Sequence, residues 1–375
     1  GLFLADNVPV APFGDEEGFP DATFVLAEDS SGTIWAGVEG RGLWWKTPKG
    51  DVGAVDTRDG LPSGSVSALM IGPDDTIWAG TFNGGIAWLK DRQVIDTVTV
   101  EDGLPSNQVA AIHRDVAGNV WVATSGGVVL IRDREITRVF GADEGFSSMV
   151  RFISESPTGT LWMSTDAGLI EFSIDRQETV RTITEADGLG SNIVASTYVD
   201  AEGVVWIGGR NSGLARLDGA TLFVYEQTHR LGIDSIMGIV EDTDGYFWFG
   251  GRRRVVRISR EDLNSVAKGI TDEVTSRQFT TRDGFRSTRV PGGFKQPMLV
   301  HTSGEIWMAT TSGLAVVDPT TIPTQSEVGE VRIEAVRADE TLLGSVQQIE
   351  VPAATQSVEI DYSLPSLTNA EDLRF

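Results

Sequence analysis

One tryptophan motif recurs seven times along this 375-residue chain, and it constrains the fold more than any other feature. In each copy a small turn leads into an apolar residue and Trp, as in GTIWAG, GNVWVA and GEIWMA. Successive tryptophans are 43, 43, 41, 44, 42 and finally 59 residues apart. This period is the length of one four-stranded β-propeller blade. The seven tryptophans are Trp35, Trp78, Trp121, Trp162, Trp206, Trp248 and Trp307.

A second motif precedes each tryptophan and reads DGLPSN in its fullest form, with a degenerate RLG in the sixth copy. Acid-Gly pairs of this kind are typical of tight turns. A β-rich stretch, the Trp strand, a Gly-Leu strand and a polar-alternating strand follow in order. The repeating unit is therefore four strands, A to D from the centre outward. We predict an all-β fold, a seven-bladed propeller of four-stranded blades.

The phase of the repeat predicts how the ring closes. The last unit ends after its C strand, at residues 313–318, and lacks an outer strand. The N-terminal segment 8–13 can supply that strand and so leave no exposed sheet edge. Residues 1–6 are then surplus, and we interpret them as the tail of an upstream blade.

Four of the seven tryptophans have an aspartate six residues earlier. Such a carboxylate can accept backbone N–H bonds across the A–B turn, so we assign it to turn structure rather than to catalysis. One large aromatic side chain per blade, at a fixed position, is expected to pack between neighbouring blades. The four aspartates are Asp29, Asp115, Asp200 and Asp242.

The repeat also sets the expected domain boundaries. Residues 1–320 form the propeller, and the extra length in the last step holds a short helix with Ser259 as its N-cap. A linker covers residues 321–330, where Thr and Pro are frequent. Residues 331–375 contain two strands of a different β fold and stop before a domain is complete.

The charge balance excludes several partners. Lys and Arg number 30 against 54 Asp and Glu, a net charge of −24, which opposes binding to nucleic acid or to an anionic lipid surface. With no cysteine and no spaced His and carboxylate cluster, we expect no disulfide, no metal and no cofactor. A run of about 18 apolar residues is also missing, so no membrane contact is expected within this chain.

The DGLPSN turn, the GNVWVAT strand and the SGLAVVDP continuation together resemble the repeats of the two-component regulator propeller family. The resemblance extends over residues 1 to about 320. The segment EVPAATQSVEIDYSLPSL resembles the opening of the triple-tyrosine immunoglobulin-like β-sandwich domain that follows such propellers, with Tyr362 as one of its aromatic positions.

This resemblance implies the periplasmic or extracellular sensor region of a longer, membrane-anchored bacterial receptor. Its output module would be a histidine kinase or a diguanylate cyclase outside this sequence. No ATP-binding or cyclase motif is found here, so we expect no enzymatic activity of the chain itself.

Propellers bind ligands where the D–A and B–C loops converge, and arginines are frequent there in this sequence. Arginines at a concave mouth can bind an anionic or polyhydroxy small molecule or oligosaccharide through bidentate bonds, whereas the alternative is that they are solvated loop residues. The candidate ligand-binding residues are Arg41, Arg210, Asn211, His229, Arg252, Arg253 and Gln296, with Asn83, Asp166 and Arg286 on the same loops.

Two other function classes stay open. The chain could be a protein-protein interaction platform, and the sensor hypothesis itself allows a homodimer. A propeller lyase or glycoside hydrolase would need an acid, a base or a Tyr nucleophile on the loop face. Only His229 among the three histidines falls there, which disfavours the enzyme class.

Overall fold

The computed structural model describes residues 9–14, 17–292, 296–322, 332–339, 341–344, 355 and 357–363. The chain divides into two compact units, Gly1–Pro319 and Thr320–Phe375. The first unit is a ring of seven four-stranded antiparallel sheets, which confirms the predicted seven-bladed propeller. The innermost strands of successive blades contact one another around the centre.

The strands of each blade follow in the order A to D. Blade 1 comprises β2 (Thr23–Glu28), β3 (Ile34–Val38), β4 (Gly42–Lys46) and β5 (Val52–Val55). Blade 2 comprises β6 (Val66–Ile71), β7 (Ile77–Thr81), β8 (Ile86–Lys90) and β9 (Gln93–Val98). Blade 3 comprises β10 (Val109–Arg114), β11 (Val120–Thr124), β12 (Gly127–Arg132) and β13 (Glu135–Phe140). Blade 4 comprises β14 (Val150–Glu155), β15 (Thr160–Thr165), β16 (Gly168–Ser173) and β17 (Glu178–Ile183).

The remaining three blades continue the same pattern, except that the last takes its D strand from the N-terminus. Blade 5 comprises β18 (Val194–Val199), β19 (Val205–Gly209), β20 (Gly213–Asp218) and β21 (Thr221–Val224). Blade 6 comprises β22 (Ile236–Glu241), β23 (Tyr246–Gly251), β24 (Val255–Ser259) and β25 (Ser276–Phe279). Blade 7 comprises β26 (Met298–Val300), β27 (Ile306–Thr310), β28 (Gly313–Val317) and β1 (Val10–Phe13).

The N-terminal strand closes the ring as predicted. β1 pairs antiparallel with β28, from Val10 opposite Val317 to Phe13 opposite Leu314. Gly313 begins β28 at φ +88°, and a Cβ there would meet the carbonyl oxygen of Phe13. The Gly of the Gly-Leu motif is thus required because the outer strand passes too close for a side chain. The proposed remnant of an upstream blade, residues 1–6, lies outside the described residues.

The motif tryptophans are buried, and most of them fill the space between neighbouring sheets. Trp121 of blade 3 packs against Phe172 of blade 4, with ring centroids 5.3 Å apart. Trp206 of blade 5 packs against Phe247 of blade 6 at 4.8 Å. Trp248 stacks on Phe279 of its own blade at 5.1 Å. Burial of such aromatic surface provides much of the cohesion between blades.

The aspartates six residues before Trp hold both the A–B turn and the indole. In blade 5 the Asp200 carboxylate accepts the Val204 N–H at 2.9 Å and the Trp206 Nε1–H at 2.9 Å. The same indole bond, at 2.8 to 2.9 Å, is formed in each of the other three aspartate-bearing blades. A buried N–H is costly without an acceptor, so one carboxylate per blade fixes the turn and the aromatic wedge together.

The acid-Gly motif caps a short 3₁₀ turn between the D strand and the next A strand. In the DGLPSN copy the turn is Val100–Asp102, and Asp102 Oδ2 accepts the N–H of Thr99 at 2.9 Å. Gly103 follows at φ +103°, a left-handed conformation that favours glycine. The motif therefore sets how the chain crosses from one blade to the next.

The insertion in blade 6 forms the predicted helix, α1 (Arg260–Ala267). Its N-cap is Ser259, whose Oγ accepts the N–H groups of Glu261 and Asp262. Leu263 on the buried side of α1 packs into the cluster between blades 5 and 6, and its carbonyl accepts the hydroxyl of Tyr225 at 2.8 Å. The helix covers the outer side of these two blades.

The second unit contains a three-stranded antiparallel sheet in the order β30-β29-β31. Its strands are β29 (Arg332–Ala338), β30 (Thr341–Gly344) and β31 (Val358–Ser363). Tyr362 lies opposite Ile333 in this sheet. The immunoglobulin-like assignment stays a prediction, and the proposed linker lies largely outside the described residues.

Candidate functional site

The B–C turns and the D–A connections share one face of the ring, which we call the upper face. The N–H of Gly42 in a B–C turn donates to the carbonyl of Gly64 in the following connection at 2.7 Å. The N–H of Gly213 donates to the backbone carbonyl of Asp234 at 2.9 Å in the corresponding position four blades later. The A–B and C–D turns form the opposite, lower face, because strands alternate in direction within each blade.

Exposed arginines occupy the neighbouring upper-face turns of blades 5 and 6. Arg210 occupies the B–C turn of blade 5, and Arg252 and Arg253 occupy that of blade 6. Among the described residues none of the three guanidinium groups has a hydrogen-bond or ion-pair partner. A row of unpaired guanidinium groups presents planar N–H donors toward solvent, the arrangement that binds carboxylate, sulfate or phosphate groups.

Arg289, which sequence reasoning missed, extends this row. It is exposed in the connection between blades 6 and 7, and its carbonyl accepts the N–H of Thr311 in the B–C turn of blade 7. Its guanidinium also lacks a partner among the described residues. We call Arg210, Arg252, Arg253 and Arg289 the arginine arc. These four residues come from two B–C turns and one connection.

Asp166 limits the arc on the blade 4 side. Its carboxylate accepts two hydrogen bonds from Arg151 at 2.7 and 2.5 Å. These hydrogen bonds, followed by the charges of Arg151 and then Arg210, lower the pKa of Asp166. Asp166 is therefore ionised at neutral pH, and its charge is already compensated by Arg151. Its carboxylate thus leaves the arginines of the arc available for a ligand.

The other charged candidates are less available. Arg286 donates to Glu17 at 2.9 Å. Arg41 is exposed on blade 1, and its carbonyl accepts the indole N–H of Trp44 at 3.1 Å. Blade 1 is not adjacent to blade 5 in the ring, so Arg41 and Arg210 do not lie on neighbouring blades. The blade 5 and blade 6 arginines therefore occupy neighbouring turns, and Arg41 lies in a turn elsewhere on the ring.

Asn211 and Gln296 act mainly through the backbone and through local bonds. Asn211 sits at φ +63°, where its N–H donates to Ser235 Oγ and its Oδ1 accepts from the same hydroxyl, both at 3.0 Å. Gln296 is exposed at φ +57°, and its carbonyl accepts the N–H of Leu26 at 2.9 Å. Asn211 thus braces the turn that carries Arg210, and Gln296 joins blade 7 to blade 1.

His229 has a structural partner that the sequence did not reveal. It is the last residue of the 3₁₀ turn Gln227–His229, and its Nδ1 accepts the N–H of Glu226 at 2.7 Å. In the other copies of the acid-Gly motif, the position of His229 is occupied by Asp or Glu. Arg230, at φ +57°, replaces the glycine that follows in those copies. The ring packs against Phe223 and Tyr225. His229 therefore caps its connection, and its ligand-binding role stays a prediction.

On the lower face, polar pairs join neighbouring A strands. His113 Nε2 lies 3.1 Å from Glu155 Oε2, and Tyr198 donates its hydroxyl to Glu241 at 3.2 Å. Burial raises the pKa of Tyr198, with the Glu241 charge adding to the shift, so it stays a phenol and not a nucleophilic phenolate. These contacts link neighbouring blades on the lower face. They therefore do not supply an acid-base pair to the upper face, where the candidate ligand-binding residues lie.

No group of His, Cys, Asp and Glu side chains suited to a metal ion occurs in the part of the chain that the structure describes. Within the same residues, no helix is both long enough and apolar enough to cross a membrane.

Comparison with known proteins agrees with the geometry. The two-component regulator propeller family matches residues 103–126, which contain the DGLPSN turn and the Trp121 strand. The recognition of two-component regulator propeller repeats is thereby confirmed. None of the curated proteins compared with the sequence matches it significantly.

Solved structures with a similar fold include extracellular domains of signalling proteins. The extracellular domain of the putative hybrid two component system BT3049 from B. thetaiotaomicron is 18% identical at a TM-score of 0.72, over 92% of this chain and 45% of that one. The extracellular domain of the putative one component system BT4673 from the same organism is 17% identical at a TM-score of 0.65, over 92% of this chain and 47% of that one. The chain thus spans less than half the length of both proteins.

A propeller enzyme is also among the similar structures. Virginiamycin B lyase from Staphylococcus aureus is 12% identical at a TM-score of 0.60, over 82% of this chain and 97% of that one. At such identity the likeness concerns the fold alone. The fold defines the class, a seven-bladed propeller that contains a two-component regulator propeller repeat at residues 103–126. Its structural neighbours include extracellular domains of putative two component and one component systems.

Proposed function

We propose that this chain is the extracytoplasmic ligand-sensing region of a bacterial transmembrane signalling receptor and is not catalytic itself. The arginine arc carries the proposal, because it gathers unpaired guanidinium groups on one face of a chain with a net charge of −24. The similarity to extracellular domains of signalling systems supports both the extracytoplasmic location and the class of receptor. The membrane anchor and the output module would belong to other parts of the receptor.

The chemistry of the arc defines the ligand class. Guanidinium groups on blades 5, 6 and 7 can each form a pair of parallel hydrogen bonds with one anionic group. A ligand that uses several of them needs anionic groups spaced along its length, as in an oligosaccharide with uronate or sulfate groups. We therefore expect acidic oligosaccharides to bind in preference to neutral ones of the same length.

The direct test is calorimetric titration and thermal shift with size-matched acidic and neutral oligosaccharides, using wild type and Arg210→Gln/Arg252→Gln. The matched control is Arg132→Gln/Arg176→Gln, which removes the same charge from exposed positions at the C–D side of blades 3 and 4. A ligand specific to the folded state raises the melting temperature by mass action.

We expect the acidic ligands to raise the melting temperature of wild type and of the control, and not that of the arc variant. Equal shifts in both variants would show that the arc does not bind the ligand. If no oligosaccharide shifts wild type at all, the interaction-platform function is favoured, and light scattering of the chain alone would then test for a homodimer.

A further inference from the structure

Blade 2 departs from the aspartate rule in a way that leaves an indole without its acceptor. The residue six positions before Trp78 is Gly72, where four other blades have the aspartate that accepts the indole N–H. Trp78 is only 7% exposed. Among the described residues its Nε1–H has no hydrogen-bond acceptor, whereas Trp121 in blade 3 donates to Asp115 at 2.9 Å.

The missing side chain coincides with a cavity between blades 2 and 3. The cavity has a volume of about 170 Å³, and both Gly72 and Trp78 line it. A water molecule takes up about 30 Å³ in the liquid, so the space exceeds what one or two waters would fill. Apolar side chains of Met70, Val120 and Ile131 form another part of the wall.

Cationic side chains enter the same cavity from blade 3. Arg114, at the end of β10, lines it and has no ion-pair or hydrogen-bond partner among the described residues. Arg134, in the C–D turn, lines it as well, with its guanidinium carbon 5.3 Å from the ring centroid of Trp88. The indole N–H and the solvent-exposed Arg114 guanidinium have no acceptor within the described part of the chain, and they lie on the two sides of one recess.

The acidic residues in the wall are partly compensated. Asp74 Oδ2 accepts the Thr76 hydroxyl at 2.7 Å, and Lys90 Nζ lies 4.0 Å from the same carboxylate. The Thr76 hydrogen bond chiefly lowers the pKa of Asp74. Asp133 lines the cavity next to Arg134 in the same turn. Two arginines therefore face two acids, one of which already has its own partners.

In blade 6 a carboxylate side chain accepts hydrogen bonds from both an indole and an arginine. There Asp242 Oδ2 accepts the indole N–H of Trp248 at 2.8 Å and a guanidinium N–H of Arg257 at 2.9 Å. One buried carboxylate thus satisfies an indole and an arginine together. In blade 2 the position of Arg257 is taken by Trp88, and the arginines near Trp78 come from blade 3 instead. Both donor types are thus present at the cavity, and the carboxylate is the missing component.

We propose that the blade 2–3 cavity binds a small organic carboxylate with a short aliphatic part, whose carboxylate replaces the absent aspartate. The carboxylate accepts the Trp78 Nε1–H and a bidentate pair from Arg114, and the aliphatic part lies against the apolar wall. The site is separate from the arginine arc and does not depend on the function proposed for it. For a ligand of so few atoms, a dissociation constant of about 1 mM is expected.

The test observes the indole N–H directly. The protein is labelled with ¹⁵N at tryptophan, the Trp78 Nε1–H signal is assigned from its loss in Trp78→Phe, and sodium propionate is titrated against sodium chloride at equal ionic strength. We expect the Trp78 signal to move downfield and saturate, while the Trp121 signal stays in place because Asp115 already accepts its proton.

Two variants make the test decisive. Arg114→Gln should weaken propionate binding at least tenfold, whereas Arg176→Gln, at an exposed position in the C–D turn of blade 4, should leave it unchanged. Gly72→Asp restores the missing carboxylate; the Trp78 signal should then sit at its downfield position without ligand and should not titrate. The new Cβ would lie 3.0 Å from Asp74 Oδ1 and 3.2 Å from the carbonyl oxygen of Thr76, so both the side chain and the turn must shift by a few tenths of an ångström.

Three results would overturn the proposal. They are a Trp78 signal that does not respond to propionate, a response of equal strength in Arg114→Gln, and an equal response to sulfate, which would indicate a general anion effect. If Gly72→Asp does not fold, the Arg114→Gln titration decides alone.

Discussion

The buried carboxylate of Asp200 should be one of the most sensitive positions of the propeller, and we predict that Asp200→Ala destabilises it by about 3 kcal/mol. Asp200 is 2% exposed and accepts the N–H groups of Glu202 at 3.1 Å and Val204 at 2.9 Å, as well as the indole N–H of Trp206 at 2.9 Å. Alanine removes all three bonds at once.

The magnitude follows from what each donor can do afterwards. The Trp206 side chain is fully buried, so its N–H would lose its acceptor without gaining water, at a cost of about 1–3 kcal/mol. The turn N–H groups can reach water more easily and should cost about 0.5–1.5 kcal/mol each. Release of one buried charge offsets part of this sum. Asp200→Asn keeps one acceptor oxygen and should cost about half as much.

The assay is urea unfolding, followed by far-UV circular dichroism, with the midpoint and the slope fitted separately. A lower midpoint at an unchanged slope reports a loss of stability rather than a change in the denatured state. Trp206→Phe provides the second arm of a double-mutant cycle. Asp200→Ala should cost about 1–2 kcal/mol less in that background, because the orphaned indole N–H is gone.

Blade 4 supplies a natural control. Ser156 occupies the aspartate position there, and the Nε1–H of Trp162 is buried without a partner among the described residues. Ser156→Ala removes the bond that Ser156 Oγ accepts from the Thr160 N–H at 3.1 Å but no indole bond, so it should cost about 0.5–1.5 kcal/mol, clearly less than Asp200→Ala. The reasoning is refuted if Asp200→Ala lies within about 0.5 kcal/mol of wild type, or if Ser156→Ala is equally damaging.

Three further predictions concern other levels of the structure. Hydrogen bonds from Arg151 lower the pKa of Asp166, so the stabilisation from this carboxylate should be present above about pH 4 and lost at lower pH. The melting temperature of wild type should therefore exceed that of Asp166→Asn at pH 7, and the two should be equal in strong acid. Ser259→Ala removes an N-cap and should cost about 1 kcal/mol in urea unfolding, with a null result contradicting the cap. Deletion of the chain through β1 (Val10–Phe13) should leave β28 unpaired, and size-exclusion chromatography should show aggregation that the intact chain does not undergo.

The repeat made the architecture predictable, whereas side-chain roles depended on contacts between distant residues. Asp200 could be assigned to its turn because the turn is local. The indole bond could not be foreseen, since it requires knowledge of how Trp206 is turned within the sheet. The predicted helix after Ser259 followed from local capping signals alone.

The candidate site was only partly predictable for the same reason. Arg210 and Arg252 could be placed on one face because the strand order fixes which turns meet there. Arg289 was missed because its connection has an irregular length and no motif position. The capping role of His229 could not be foreseen because its neighbour Arg230 lacks the glycine signature, although both occupy a capping turn like that of the acid-Gly motif.

The acidity of the whole chain affects how the proposed ligand would bind the arginine arc. A net charge of −24 repels anions over distances comparable with the Debye length, about 8 Å at physiological salt. Steering is therefore weak, and recognition has to come from short-range bidentate bonds at the arc itself. Salt screens the long-range repulsion as well as the local attraction. The affinity should consequently fall less steeply with salt than the number of arginines alone would imply, which distinguishes the arc from a binding surface on a basic protein.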